Sequence, residues 1–341
     1  MTQDRLQELV AGFGSKRIAV VGDFFLDKYL AFDPDLAEVS IETGKVANQV
    51  VCVRHTPGAA GAVVSNLVAL GAGRVVAVGF TGEDGEGYEL RTDLGSLGCE
   101  TNMLYAVHGR HTPTYLKPCN AKVPGLAGET ERFDTKNRTP LSEDLQNRLI
   151  TAMDEICDSV DAVIVADQVV EAECGVVTTW MRAALSRAAR AHPGAVFWAD
   201  SRGRIGQFRD VALKPNEAEA LAAVGLPADS GVESVRMAGC KMREQTGKPV
   251  FVTRSAEGIL VFDGNGVQEV PAVPVSGPTD STGAGDSATA GAVLTLASGG
   301  SPVEAAIVAN LVASITVQQL GVTGVARPHQ LASQLEVWGQ L

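Results

Sequence analysis

The sequence lacks paired cysteines. Its six cysteines are scattered over 341 residues without a C-x-x-C pair, so the spacing indicates neither a zinc site nor a disulfide framework. The cysteines concerned are Cys52, Cys99, Cys119, Cys157, Cys174 and Cys240. We therefore expect buried free thiols.

Positive charge is also scarce. Lys and Arg number 28 against 40 Asp and Glu, for a formal net charge of −12. General affinity for nucleic acid or an anionic membrane depends on clustered basic residues, so this balance argues against both partners. Residues 1–14 are amphipathic, and no apolar run approaches the roughly 18 residues of a membrane span. These features predict a cytoplasmic protein. Because the chain is acidic overall, any phosphate would have to be bound by a local group of residues.

The residues that are abundant favour an α/β fold. Hydrophobic residues make up 45% of the chain, aromatic residues only 5%, and there are 37 glycines, as in a protein with many tight turns between strands and helices. Short apolar runs alternate with Ala- and Leu-rich segments, the pattern of a parallel sheet covered on both faces. The runs are 17–22, 74–79, 161–166, 195–199, 211–214 and 249–253. We expect a single domain over 1–341.

Two regions interrupt this alternation. Residues 28–56 and 105–134 carry β-branched residues with little helical periodicity, so each is predicted to contribute strands to a small sheet lying over the main domain. One would be inserted after the first strand and one after the third. Exposed edges of such a lid make a homodimer through the lid plausible.

Polar residues end the strand-like runs. Asp23, Asp84, Asp167, Asp200 and Asn216 each follow or close an apolar run. Ligands of open parallel sheets bind beyond the carboxyl ends of the strands, so these side chains are expected to converge on one crevice. The alternative for each is a cap on the following helix.

A glycine-rich segment precedes an Ala-rich helix near the end of the chain. The backbone N–H groups of Gly283, Ala284 and Gly285 would point at one spot at the helix N-terminus, where the helix dipole supplies about half a positive charge. That environment suits a phosphate. Asp286 beside it makes chemical sense as a base that takes a proton from a hydroxyl attacking phosphorus.

Two other interpretations of this segment remain open. The first is an ordinary helix start in which Asp286 only complements the dipole. Alternatively, Gly283, Gly285 and Ala288 fit the relaxed dinucleotide fingerprint, with Glu304 about 20 residues on as a ribose ligand, which would make the protein a nicotinamide-dependent oxidoreductase. The fingerprint should follow a buried strand, whereas residues 270–278 contain three prolines.

The segment 280–287 reads D-S-T-G-A-G-D-S and resembles the signature D-[TS]-T-G-A-G-D-[ST] of the ribokinase-like, or phosphofructokinase-B type, carbohydrate kinases. Two more elements fit this family in order: a strand ending in G-D at Asp23, and N-x-x-E at Asn216 to Glu219. The resemblance covers roughly residues 17–327. It implies a doubly wound, mostly parallel sheet with helices on both faces and a small β-sheet lid.

The resemblance also implies a reaction and a nucleotide site. The γ-phosphoryl of ATP would pass to a sugar hydroxyl with Asp286 as base, while Asn216 and Glu219 organise Mg²⁺ through water. The alternative for an Asn with Glu three residues on is a capping box. Thr253, Gly258 and Asn310 would lie by the nucleotide, and Asp280 is a candidate for binding a monovalent cation such as K⁺.

On the acceptor side, the family resemblance assigns Asp23 and Asp27 to sugar hydroxyls, with Gly58 beside them. Where the family commonly has P-G-G-x-A-x-N, residues 57–63 read P-G-A-A-G-A-V, so that Ala59 replaces a glycine and Ala62 stands near the position of a sugar-binding Asn. One hydrogen bond to the acceptor is therefore in doubt, and a non-catalytic nucleotide or sugar sensor is the alternative function.

Within the family, the stretches 36–44, 112–117 and 132–134 look most like kinases of heptose phosphates. Lys117 and Arg132 are then candidates for binding a phosphate that the acceptor already carries. The alternative is that both are solvated lid residues. Asp167 matches an acid of that subgroup and either contacts the sugar or caps a helix. The sequence predicts an ATP-dependent kinase of a small sugar or sugar phosphate.

Overall fold

A computed structural model describes residues 1–340, so Leu341, which the predicted domain includes, lies outside the described residues. The strands are β1 (Arg17–Gly22), β2 (Phe24–Val39), β3 (Val46–Ala59), β4 (Arg74–Gly82), β5 (Glu100–Val107), β6 (Thr114–Asn120), β7 (Phe133–Thr135), β8 (Ala162–Asp167), β9 (Val196–Ser201), β10 (Ala212–Leu213), β11 (Val250–Thr253), β12 (Ile259–Asp263) and β13 (Gly266–Val270). The α-helices are α1 (Gln3–Phe13), α2 (Ala60–Ala69), α3 (Gly85–Ser96), α4 (Glu143–Cys157), α5 (Thr179–Ala191), α6 (Glu217–Ala223), α7 (Gly231–Thr246), α8 (Ala284–Ala297), α9 (Pro302–Thr316) and α10 (Pro328–Trp338).

The main sheet has the order β13-β12-β11-β10-β9-β8-β1-β4-β5. From β11 to β5 in this order, neighbouring strands are parallel. At the other edge of the sheet, β12 pairs antiparallel with β11, and β13 pairs antiparallel with β12. The chain runs from β1 outward to β4 and β5 and then returns to β8 on the other side of β1. The crevice between β1 and β8 is therefore the place where such sheets bind ligands.

Helices cover both faces of this sheet, as predicted. In β1, Ile18 and Val20 belong to one apolar core with α1, α2, α3, α8, α9 and α10, whereas Ala19 and Val21 belong to a second core with α4, α5, α6 and α7. Burying each large aliphatic side chain contributes about 1.5–3 kcal/mol. The continuous apolar runs of the sequence are explained by this burial on both sides.

The small sheet has the order β3-β2-β6-β7 and forms a separate layer, as the lid prediction required. Its extent differs from the prediction: β2 and β3 run from residue 24 to residue 59, and residues 105–107 finish β5 of the main sheet. The strands β5, β12 and β13 were not predicted. None of the helices within residues 1–340 is long and apolar enough to cross a membrane.

The cysteines follow the expectation only in part. All six are free, and Cys99, Cys157 and Cys174 are buried, but Cys52 and Cys240 are exposed and Cys119 is half-buried. Cys52 lies on β3 of the lid, a strand with little main-domain cover. The expectation of buried thiols is therefore wrong for these three.

Ala59 joins the lid to α2 in a strained conformation. Its φ of 53° with ψ of −120° lies where L-residues are rare and glycine is favoured. This is the position at which the sequence departs from the P-G-G pattern. The departure therefore has a cost in backbone energy that a glycine would avoid.

We expect Ala59→Gly to raise the free energy of unfolding by about 1 kcal/mol, since relief of strain outweighs the added freedom of the unfolded chain. Urea denaturation followed by circular dichroism measures the change. The control Ala60→Gly, inside α2, should destabilise the protein. A destabilised Ala59→Gly variant would contradict the strain at this residue.

Candidate active site

The glycine-rich segment begins α8 at the crevice edge of the sheet. Gly283 is the N-cap residue with a φ of 74°, and Gly285 and Asp286 lie in the first helical turn. The backbone N–H of Ala284 donates to the carbonyl of Ser281 at 3.1 Å, so this amide is used within the turn. Those of Gly283 and Gly285 bond no acceptor within residues 1–340. The structure thus leaves two of the three predicted amides available to an anion.

Asp286 is half-buried beside these amides. Burial raises its pKa to about 7, and the negative charge of Asp200 acts in the same direction, while Lys214 and Arg202 act in the opposite one. A carboxyl group with such a pKa is poised to exchange a proton near neutral pH. Asp286 is thus a stronger base than an exposed aspartate.

Lys214 is a site residue that was not assigned a role from the sequence. Its Nζ lies 2.7 Å from Asp200 Oδ2, and both side chains are almost wholly buried. Burial lowers the pKa of Lys214, but the charge and hydrogen bond of Asp200, together with the charges of Glu219 and Asp286, raise it by more, so the ammonium is retained. A Cβ on Gly285 would lie 3.3 Å from this Nζ, which shows how closely Lys214 approaches the start of α8. The signal available in the sequence was a lysine directly before Pro215 and Asn216.

Asn216 and Glu219 form a capping box at the start of α6. Asn216 Oδ1 accepts from the Glu219 amide and Glu219 Oε2 accepts from the Asn216 amide, each at 2.8 Å. The capping alternative is thus realised in the structure. Burial nevertheless raises the pKa of Glu219, and the charges of Lys214 and Arg202 reach it, so this carboxylate also lies near the crevice.

Three residues assigned to the nucleotide have structural contacts. Asn310 donates through Nδ2 to the carbonyls of Val270 and Pro271 at 3.2 and 2.9 Å. Gly258 has a φ of 90°, and a Cβ there would lie 2.1 Å from the Val270 carbonyl oxygen. Thr253, at the end of β11, forms an isolated β-bridge with Asn216, just before α6. Their direct contact with a nucleotide stays a prediction.

Asp280 joins two loops. Its Oδ1 accepts from the Thr282 amide at 2.9 Å and its Oδ2 from the Gly321 amide at 3.1 Å. These hydrogen bonds lower its pKa despite partial burial. Within residues 1–340, no group of three or more His, Cys, Asp and Glu side chains is placed to hold a metal ion. The role of Asp280 beside a monovalent cation stays a prediction.

Asp23 lies at the end of β1 and is buried. Its Oδ2 accepts from the amides of Gln168 and Val169, and its Oδ1 from that of Val176, each at 2.8 Å. Burial and the charge of Asp167 still raise its pKa to about 6. The carboxylate predicted to bind a sugar hydroxyl therefore holds the loop after β8 in this structure.

Asp27 lies on β2 above the crevice and makes an ion pair with Lys117. The two side chains approach to 3.0 Å, and Lys117 also donates to the Tyr29 hydroxyl at 3.2 Å. A Cβ on Gly58 would lie 2.5 Å from Asp27 Oδ2, so glycine is required opposite this carboxylate. The charge of Asp27 also acts to raise the pKa of Asp286.

The remaining acceptor-side candidates are also engaged. Arg132 pairs with Asp134 at 2.7 Å and its guanidinium lies 4.4 Å from the Tyr115 ring centroid. Asp167 is buried, pairs with Arg204 and accepts from the Ser201 hydroxyl. Asp84, another strand-end acid, caps α3 through the Gly87 amide. Of the strand-end group, Asp200 is the residue whose charge acts to raise the pKa of Asp286.

The dinucleotide alternative does not fit the structure. Within residues 1–340, no strand directly precedes α8, because β13 ends at Val270 and residues 271–283 form neither helix nor strand. Glu304 caps α9 and pairs with Arg5 at 2.8 Å. Neither the glycine-rich segment nor Glu304 therefore has the structural context that the dinucleotide fingerprint requires.

Most of the chain matches the model of a known protein family. The model of the family described as pfkB family carbohydrate kinase matches residues 16–329. The chain belongs to this family. As a pfkB family member, it is a sugar kinase, and the class of enzyme predicted from the sequence is confirmed.

Curated relatives resemble the chain over part of their own length. It is 30% identical over 335 residues to the bifunctional protein HldE of Trichlorobacter lovleyi, which covers 98% of this chain and 66% of the relative. It is 31% identical over 316 residues to HldE of Pelobacter propionicus, covering 90% and 61%. The chain therefore spans less than two thirds of the length of these relatives.

Solved structures share the fold. Phosphofructokinase-2 from Escherichia coli, in complex with potassium, superimposes with a TM-score of 0.70 at 18% identity, covering 95% of this chain and 98% of that one. Ribokinase of Arabidopsis thaliana, complexed with ribose and ATP, gives 0.65 at 20% identity and the same coverage. The predicted ribokinase-like fold is confirmed.

We expect Asp286→Asn to raise the melting temperature at pH 8, because the ionised carboxylate is poorly solvated in the folded state. The folded pKa of about 7 exceeds the ordinary value of 3.8, so the penalty is complete above pH 7 and fades as the pH falls toward 4. Differential scanning calorimetry at pH 8 and pH 5 measures this. Asp200→Asn, which leaves buried Lys214 unpaired, should destabilise the protein at pH 8. If Asp286→Asn changed the melting temperature equally at both pH values, the raised pKa of Asp286 would be contradicted.

Proposed function

We propose that the chain transfers the γ-phosphoryl group of ATP to a hydroxyl of a small sugar or sugar phosphate. The observation that carries this proposal is the grouping of a half-buried base, Asp286, with the available amides of Gly283 and Gly285 and the ammonium of Lys214. A base and an anion-binding site in contact are what in-line phosphoryl transfer to an alcohol requires.

Asp286 would take the proton of the acceptor hydroxyl as its oxygen bonds to phosphorus and the bond to the ADP oxygen breaks. The two amides and the α8 dipole would stabilise charge on the transferring group, and one such donor typically contributes about 2.7–4 kcal/mol. Lys214 would add a positive charge without needing to move, because Asp200 fixes it.

Magnesium fits the residues present. Glu219 is a carboxylate near the crevice, and Mg²⁺ keeps several waters while it binds one or two carboxylates and the substrate phosphates. Glu219 would hold the ion through water, with Asn216 positioning Glu219 through the capping box. The bound ion would neutralise phosphate charge during transfer.

The first acceptor to test is a heptose phosphate. Support comes from the resemblance of the lid segments to heptose-phosphate kinases and from the 30% identity to proteins named HldE. ATP consumption across hexoses, heptoses and their phosphates would identify the acceptor. ATP binding without turnover on any of them would favour a nucleotide or sugar sensor instead.

We expect Asp286→Asn to lower kcat by about 10²–10⁴-fold, because general base catalysis contributes on this scale. ATP binding, measured by isothermal titration calorimetry, should change little. Asp263→Asn, at the end of β12, is the control and should keep full activity. Near wild-type turnover by Asp286→Asn would mean that Asp286 is not the base.

We also propose that the lid mediates a homodimer. Its edge strand β3 exposes Val50, Val51 and Val53, which are 47%, 52% and 52% exposed. An apolar edge strand can pair with its own copy about a two-fold axis, which would cover these side chains. A second copy of this chain is the occupant that this self-complementary geometry favours.

We expect Val53→Lys to convert the dimer to a monomer in size-exclusion chromatography with light scattering, since a charge would be buried in the contact. Val267→Lys, on the exposed edge strand β13 of the main sheet, is the matched control and should leave the mass unchanged. A monomeric wild-type protein at micromolar concentration would exclude the lid dimer.

A further inference from the structure

The loop between α9 and α10, residues 317–327, lies between the lid and the start of α8. Little of its tip is anchored in the apolar core, because Leu320 and Val322 are 44% and 39% exposed. Polar and backbone contacts therefore set the position of this tip. They come from the lid on one side and from the glycine-rich segment on the other, so the loop physically bridges the two.

On the lid side, the contact is made by Arg54 of β3. Its Nη2 donates to the Gly321 carbonyl at 3.2 Å, and its guanidinium carbon lies 3.9 Å from the centroid of the buried Tyr29 ring. Stacking on this ring restricts the directions in which the guanidinium can point. A Cβ on Gly321 would lie 3.7 Å from the Gly125 Cα, so the lid segment between β6 and β7 also lies against the loop. The lid itself thus aims Arg54 at the loop.

On the other side, the loop contacts the glycine-rich segment at two points. The Gly321 amide donates to Asp280 Oδ2 at 3.1 Å, so the lid binds the carbonyl of this glycine while the glycine-rich segment binds its N–H group. A Cβ on Gly283 would lie 3.1 Å from the methyl carbon of Thr323, which places this methyl against the N-cap residue of α8. The loop therefore supports a residue whose amide is available to an anion.

We propose that Arg54 is a positioning residue that couples the lid to the anion-binding start of α8. The inference rests on the proposed function. Arg54 holds the Gly321 carbonyl, and the loop in turn presses Thr323 against Gly283. The amide of Gly283 would therefore take its working position when the lid is fixed to the loop. Such coupling would link phosphoryl transfer to a lid closed over an acceptor, and so exclude water from the transferring group.

The kinetic signature of two substitutions tests this role. Arg54 is exposed, so its replacement should not prevent folding. Arg54→Met still covers the Tyr29 ring but has no donor for Gly321. We expect kcat to fall about 10-fold, the scale of one lost charge-assisted hydrogen bond, while KM for the acceptor stays close to the wild-type value. Arg54→Lys keeps a donor and should restore most of kcat. Lys45→Met, which removes an exposed lid cation in the turn between β2 and β3, is the matched control and should leave both constants unchanged.

A double-mutant cycle tests whether Arg54 acts through the loop. Thr323→Ser removes the methyl that lies against Gly283 and should itself lower kcat. Adding Arg54→Met to this variant should then have much less than its effect in the wild-type protein, because the loop is already uncoupled from α8.

Three results would overturn the coupling while the kinase assignment stands. They are a wild-type kcat for Arg54→Met, an Arg54→Lys variant that behaves like Arg54→Met, and an effect of Arg54→Met that is the same with Thr323 and with Ser at that position. A wild-type protein that phosphorylates no acceptor would instead refute the proposed function, and the coupling with it.

Discussion

The carboxylate of Asp23 connects the parts of the molecule that must stay in register. It is the single residue between β1 of the main sheet and β2 of the lid, and its side chain accepts three backbone N–H groups from the loop after β8. Its own carbonyl accepts from the Ala60 amide at the start of α2. A Cβ on Gly175 would lie 2.6 Å from Asp23 Oδ1, so the loop can close on this carboxylate only with glycine there. The root of the lid and the loop after β8 therefore depend on one buried acid.

The chemistry of the site depends on a balance of buried charges. Asp200 neutralises Lys214 and at the same time helps to raise the pKa of Asp286, while Lys214 limits that rise. Desolvation is the larger effect on Asp286, because a half-buried carboxylate loses water that its neighbours do not replace. The burial that raises the pKa of Asp286 also makes its ionised form unfavourable for the folded state.

Several features followed from the sequence because they depend on local chemistry. The continuous apolar runs predicted buried parallel strands, and the glycines before an Ala-rich stretch predicted the start of α8. The β-branched segments predicted the lid, although β2 begins at Phe24 and not near residue 28, since lid pairing extends down to the end of β1. The antiparallel strands β12 and β13 escaped prediction because short edge strands carry weak periodicity.

The sequence by itself determined the fold class, the family resemblance and the placement of Asp286 at a glycine-rich helix start, because motif spacing and hydrophobic pattern are properties of neighbouring residues. Only the tertiary structure decided which charges remain available. Lys117, Asp23 and Asp167 are candidates of equal standing in the sequence, yet each is bound by a partner far along the chain. Arg54 is inconspicuous in the sequence, and folding brings its guanidinium to the Gly321 carbonyl in the loop between α9 and α10. A side chain's partners are set by contacts between distant segments, and those contacts exist only once the chain has folded.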